Sequence, residues 1–193
     1  MIYYPAFLNL KGKKVLLFGA GAVALRKAKS LIASEAKLSV ISREFSDAFR
    51  RFAKSKKIKL QKGSRIPKSL SSVSLVVAAT SDTGFNRLVY QACSRKGILV
   101  NVVDDPKHSN FIVPSVVRRG NLQIAISTGG ASPYLAKLLR QKFEGELDSR
   151  YADLARFLKK ERVRVKNTIS SAAGRRNYFE QLVNAKLKQL RRK

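Results

Sequence analysis

Residues 14–103 predict an α/β domain built on a doubly wound parallel sheet. Three observations carry this expectation: short apolar runs alternate with amphipathic stretches, the first run is continuously apolar, and it ends in a glycine turn that opens a helix. Lys14-Val15-Leu16-Leu17-Phe18-Gly19 reads as a strand covered on both faces. Val23 to Ser34 places Leu25, Ala28, Leu31 and Ile32 at helical spacing. Leu38-Ser39-Val40-Ile41 is a second strand, followed by a helix over Asp47 to Ser55 that Ser46 caps. Ile58-Lys59-Leu60 is a weak third strand and Leu75-Val76-Val77-Ala78-Ala79 a strong fourth. A helix from Asp82 to Lys96 stops at Gly97, and Ile98 to Val103 makes the fifth strand. Strand–helix alternation of this kind requires right-handed crossovers, hence parallel strands.

After Pro106 the rhythm changes. Phe111-Ile112-Val113-Pro114 and Leu122 to Ser127 read as strands around the Arg118-Arg119-Gly120-Asn121 turn. Ser132 before Pro133 is a helix start, an N-cap followed by a residue whose missing N–H costs nothing in the first turn. Residues 148–193 read as helical and basic, interrupted near Ser170-Ser171-Ala172-Ala173-Gly174. The expected division is 1–113, 114–147 and 148–193.

The 193 residues are 45% hydrophobic, enough to build a core and incompatible with global disorder. No apolar run is long enough to span a bilayer, and Met1-Ile2-Tyr3-Tyr4-Pro5 lacks the basic and apolar regions of a signal peptide. A single Cys93 and a single His108 exclude a disulfide framework and a multi-cysteine metal cage within the chain. The expectation is a soluble, cytoplasmic protein without a membrane partner. Its formal charge is +28, and the last 43 residues hold 13 basic side chains against 3 acidic. Such a surplus attracts polyanions, whether nucleic acid or an acidic small molecule. No arginine–glycine repeat, zipper or RNA-binding aromatic signature accompanies it, which ranks nucleic acid low.

Gly19-Ala20-Gly21-Ala22-Val23-Ala24 fits the G-x-G-x-x-A dinucleotide turn between strand and helix. The first glycine permits the turn and the second lets backbone approach a pyrophosphate. Ala24 allows the helix to pack closely, while the amides of Ala22 and Val23 face the anion. Ser42 and Arg43 follow the second strand where an acidic ribose ligand is usual; Arg43 suits either a 2′-phosphate or plain surface charge. Thr80, Asn101 and Val102 fall near the carboxyl ends of the fourth and fifth strands, where such sheets bind ligands. Asp104-Asp105 follows the fifth strand. On sequence alone the pair reads equally as a general base at the cleft rim and as turn chemistry before Pro106. His108 reads as a surface loop residue and Cys93 as a packing residue. Thr128-Gly129-Gly130 before Ser132 is either an anion nest or a simple connection.

Several motifs in order resemble the precorrin-2 dehydrogenases, the dehydrogenase modules of siroheme synthases. They are Pro5-Ala6-Phe7-Leu8, the Gly19/Gly21 turn running into Arg26-Lys27-Ala28, Ala78-Ala79-Thr80 with Asn86, and Asn101 to Pro106. Phe111-Ile112-Val113-Pro114-Ser115 and Ala125 to Pro133 continue the match, which covers roughly residues 1–145. The resemblance implies a Rossmann-type sheet, a dimerisation region at 114–147, a C-terminal helical domain and an intertwined homodimer. It implies oxidation of precorrin-2 to sirohydrochlorin with NAD⁺, with Asp104 as catalytic base. It also implies Fe²⁺ insertion in some members, with Asp104 as the group concerned and no other metal ligand. Thr128, Gly129, Gly130 and Ser132 become candidates for holding the polycarboxylate tetrapyrrole, with Arg118, Arg119, Lys137 and Arg140 as further cations. The competing reading is a non-catalytic dinucleotide-sensing or nucleic-acid-binding module, favoured by the basic tail and the missing ribose acid.

Overall fold

The computed structural model describes residues 3–191; Met1 and Ile2 of the leader reading, and Arg192 and Lys193 of the basic tail, lie outside them. The chain divides into two compact units, 1–113 and 114–193.

In the first unit β1 (Lys14–Phe18), β2 (Lys37–Ser42), β3 (Lys59–Lys62), β4 (Val73–Ala78) and β5 (Leu99–Val102) form one parallel sheet in the order β3-β2-β1-β4-β5. The crossovers are α1 (Ala22–Ala33), α2 (Asp47–Ser55) and α3 (Thr83–Ser94). Alternation within each apolar run divides the core into two layers. Val15 and Leu17 of β1, Val40 of β2 and Val77 of β4 pack with Ala24 and Ala28 of α1 and Phe49 and Ala53 of α2. Leu16, Phe18, Val76, Ala78, Val100 and Val102 point the other way, onto Val89 and Cys93 of α3. Both faces are covered, so the runs are continuously apolar rather than alternating. Ala24 and Ala28 are fully buried, and their small side chains let α1 lie close on the sheet. Ser46 caps α2 as expected, accepting from the Phe49 amide at 3.3 Å.

The strand expected at Phe111-Ile112-Val113-Pro114 does not form; the strand begins just after that stretch, as β6 (Ser115–Arg119). Two causes act together. Pro114 has no amide to donate, and the preceding segment is spent on β5. Asn110 Oδ1 accepts the Val100 amide at 2.7 Å, Ser109 Oγ accepts the Val102 amide at 2.9 Å, and Asn101 Nδ2 donates to the Phe111 carbonyl at 3.2 Å. Side chains thus occupy the outer edge of β5, protecting it from further strand addition.

In the second unit β6 pairs antiparallel with β7 (Leu122–Ile126) through the Gly120-Asn121 loop. Gly120 takes φ +57, and a Cβ there would sit 3.2 Å from the Cβ of Ala152, so glycine serves both the turn and the packing. α4 (Pro133–Glu146), α5 (Arg150–Thr168) and α6 (Ala172–Arg191) follow. Ser132 caps α4 with Pro133 in its first turn, as expected. The break expected near 170–174 falls at Ile169–Ser171, whose first two carbonyls accept from Arg175 Nη1 at 2.7 Å each. Among the described residues no helix is long and apolar enough to cross a membrane.

Candidate functional site

Strand order reverses between β1 and β4, so the loops leaving their carboxyl ends diverge and open a cleft, as doubly wound sheets do. The cleft measures about 620 Å³ and is lined from β1 by Gly19 to Gly21, from β2 by Ser42 to Ser46, from β3 by Gly63 and Ser64, and from β4 by Ala79 to Asp82. Gly19 holds φ +99, and a Cβ on it would lie 2.3 Å from the Ala79 carbonyl oxygen. The turn therefore passes directly against the β4 exit. Gly21 caps α1 without a side-chain hydrogen bond, and a Cβ there would meet nothing within 4 Å. An unobstructed glycine leads into a helix N-terminus whose orphan amides have no side-chain partner, which fits a pyrophosphate. The residues present thus suit a dinucleotide.

The rim is organised by local hydrogen bonds. Ser46 Oγ donates to the Ala20 carbonyl at 3.0 Å, tying the β2 loop to the glycine turn. Ser42 Oγ donates to the Glu44 carbonyl at 2.6 Å, and Arg43 reaches across the opening to Asp82 at 3.3 Å. Arg43 and Asp82 are both exposed, so this pair contributes at most about 1 kcal/mol and parts readily for a ligand. Thr80 Oγ1 donates to Asn86 Oδ1 at 2.7 Å and accepts the Asp82 amide at 3.3 Å, while Asn86 Nδ2 returns to the Thr80 carbonyl at 3.0 Å. Buried Asn86 therefore shapes the loop from below, a role its place inside a helical stretch did not announce.

Asn101 and Val102 do not line this cleft; their polar groups hold the 109–111 segment instead. Ala22 and Val23 lie just beyond the lining, at the start of α1. Gly63, Ser64, Phe45 and Phe85 line it without having been singled out in the sequence. The weak third strand was the one available signal for Gly63 and Ser64, since they follow its carboxyl end.

The two aspartates after β5 have different fates. Asp105 caps the 3-10 turn Pro106–His108, and its Oδ2 lies 2.7 Å from His108 Nδ1. The bond from His108 holds the Asp105 carboxyl below the usual carboxylate range. Asp104 is exposed and takes φ +60, a left-handed conformation that aspartate tolerates better than most residues. Its charge is felt on α1: burial pulls the half-buried Lys27 ammonium below its ordinary value, Arg26 adds to the fall, and Asp104 opposes both. Cys93 is buried with its thiol pushed up to about 11, so it is a packing residue.

In the second unit Thr128 Oγ1 accepts the Ser132 amide at 3.0 Å and donates to its carbonyl at 3.1 Å, closing a tight turn. Gly129 and Gly130 both take positive φ, and Ser132 Oγ caps α4. Arg119 is committed to the end of α4, donating to the Leu147 and Glu144 carbonyls at 2.6 and 2.8 Å, and Arg140 pairs with Glu144 at 2.6 Å.

A family model described as putative NAD(P)-binding matches residues 6–115, and one described as sirohaem biosynthesis protein central matches 119–146. Siroheme synthase 2 of Yersinia enterocolitica is 40% identical over 95% of this chain, and siroheme synthase 2 of Aeromonas hydrophila 42% over 93%. The chain belongs to the precorrin-2 dehydrogenase and siroheme synthase family. It spans about two fifths of the length of those curated relatives, 39% and 38%. A solved structure titled "SirC, precorrin-2 dehydrogenase" superposes with a TM-score of 0.77 at 25% identity, covering 99% of this chain and 100% of that one. The membership brings a nicotinamide dinucleotide cofactor and accounts for an α/β unit followed by the hairpin and α4.

Proposed function

We propose that this chain oxidises precorrin-2 to sirohydrochlorin with NAD⁺ as the dinucleotide. The observation that carries the reading is the combination of a dinucleotide cleft at the β1/β4 reversal with a free carboxylate, Asp104, beyond β5. The family membership supplies the substrate class, and the match to a precorrin-2 dehydrogenase over the whole chain supports the reaction.

The backbone of Gly19, Gly21, Ala22 and Val23 would hold the pyrophosphate, and Ser42, Arg43 and the Thr80 loop braced by Asn86 would hold the rest of the dinucleotide. When bound, NAD⁺ supplies the hydride acceptor. The oxidation removes two electrons and a proton as hydride and a second proton as H⁺; Asp104 accepts that second proton and passes it to solvent. Its exposure puts solvent at hand to take that proton away.

In the second unit the 128–132 turn, with Gly129 and Gly130 in left-handed backbone, is the candidate for a substrate carboxylate, although the amides of Gly129, Ala131 and Ser132 already donate to Ser127 and Thr128. Residues 114–147 act as the dimerisation region of a cytoplasmic homodimer, with 148–193 as a helical domain. Exposed Tyr134, Leu135 and Leu138 on α4 support that reading.

Purified protein given precorrin-2 and NAD⁺ is expected to yield NADH and the absorption spectrum of sirohydrochlorin, with NADP⁺ slower. Asp104→Asn is expected to lose most turnover while binding NAD⁺ as the parent does. Parental turnover by that variant would refute the assignment of the base.

A further inference from the structure

Asp104 occupies a left-handed conformation that L-residues rarely adopt and that persists only where its surroundings enforce it. The enforcement is visible on both sides. Before it, the Val103 amide donates to the Ala78 carbonyl at 2.9 Å. After it, the Asp105 amide donates to the Val102 carbonyl at 3.2 Å, and the Asp105 carbonyl accepts Ser109 Oγ at 2.9 Å. The Asp105 side chain completes the closure. One oxygen accepts the His108 amide at 3.3 Å, and the other meets the His108 ring at 2.7 Å. That ring stands edge-on to Tyr90 of α3 with centroids 5.5 Å apart, and Arg87 of the same helix acts on the Asp105 carboxylate. The loop bearing Asp104 is thus fastened to α3 through the chain's one histidine.

We infer that His108 is a positioning residue for Asp104: by holding Asp105 against α3 it keeps the 103–108 loop in the conformation that presents the neighbouring carboxylate. The inference rests on Asp104 being the proton acceptor. It also explains how adjacent, chemically identical side chains divide their work. Asp105 is consumed as the loop's anchor, and among the described residues the Asp104 side chain makes no hydrogen bond, which leaves it free to face substrate. A short imidazole–carboxylate bond is suited to the anchor because it fixes direction as well as distance.

The test compares His108→Ala with His108→Asn, whose amide N–H can replace the Nδ1 donor. In the Ala variant kcat is expected to fall about tenfold with KM for NAD⁺ unchanged, since loop placement and not cofactor binding is lost. In the cofactor-free protein the Asp105 and His108-position amides are expected to exchange with solvent about tenfold faster. Asn is expected to restore both. Asp105→Ala combined with His108→Ala should be no worse than either alone, because the two side chains act as one unit. Parental kcat and amide protection in His108→Ala, failure of Asn to rescue, or additive losses in the double variant would each overturn the inference. Asp104→Asn separates the two levels: if it keeps full turnover the base assignment fails, whereas an inactive Asp104→Asn beside a fully active His108→Ala removes only the role of His108.

Discussion

Two glycines in one turn are predicted to fail in opposite ways. Gly19→Ala places a methyl 2.3 Å from the Ala79 carbonyl oxygen and 2.8 Å from its carbon, with backbone at φ +99. The conformational penalty is about 1–3 kcal/mol, and parting the β1 and β4 exits, which cannot rotate away as a side chain could, adds roughly 1–3 kcal/mol. A loss near ~4 kcal/mol should lower the midpoint of the first unit's unfolding by more than about 10 °C. Gly21→Ala has ordinary backbone, φ −79 and ψ −171, and open space around the new methyl. Its stability cost should stay under about 1 kcal/mol, the range for exchanging glycine and alanine at an N-cap. That open space is where the pyrophosphate is expected, so NAD⁺ affinity should fall on the order of a hundredfold, or ~2.7 kcal/mol. Circular dichroism melts and calorimetric titration with NAD⁺ read the two quantities separately. A Gly19→Ala protein melting with the parent would refute the packing argument, and a Gly21→Ala protein binding with parental affinity would refute the placement of the ligand.

Three further expectations follow from the same geometry. Cys93, buried with its thiol raised to about 11, should resist iodoacetamide in the folded protein and react once denaturant is added; rapid native labelling at neutral pH would contradict its burial. Ser46→Ala removes both the α2 cap and the bond to the Ala20 carbonyl, so it should cost about 1–2 kcal/mol in urea unfolding and also weaken NAD⁺ binding, where a cap alone would leave affinity untouched. Glu161 is held below the usual carboxylate range, first by Arg164 and then by Tyr178, with Arg164 Nη2 at 2.8 Å joining α5 to Tyr178 of α6. A depressed folded value means stability fully present above the ordinary glutamate range and lost as pH falls below that range and through the lowered folded value. Acid titration of the parent should therefore loosen the α5–α6 pair before Glu161→Gln shows any comparable change.

Much of the first unit is legible because its signals are local and mutually consistent. Continuous apolar runs, helical spacing and glycine stops each point to the same parallel sheet, and burial on both faces makes the runs apolar throughout. The glycine turn is equally readable, since steric need dictates the residue at Gly19. Lining contributed by side chains from distant loops is less so. Asn86 lies within α3 and faces Thr80 only because the β4 loop folds back over the helix start. The misplaced strand before β6 has the same origin: Phe111 to Val113 are apolar enough for a strand, but the neighbouring Ser109 and Asn110 side chains had already been claimed by the edge of β5.

Asp104 and Asp105 mark where sequence reasoning reaches its limit, and the reason is geometric. Adjacent residues in extended backbone point to opposite faces, so spacing alone implies that one aspartate turns toward the ligand and the other away. The structure replaces that alternation with a left-handed residue, after which the chain direction no longer follows strand geometry. What separates the two carboxylates is therefore the partner each finds, not the side of a strand. Asp105 meets His108 three residues on, inside a turn nucleated by Pro106, while among the described residues the Asp104 side chain makes no hydrogen bond and acts on Lys27 through charge. A histidine read as an ordinary surface residue thus turns out to be the partner that engages one of the two carboxylates. The division between the two carboxylates is thus made by subtraction: the one left open is the one whose neighbour is already bound.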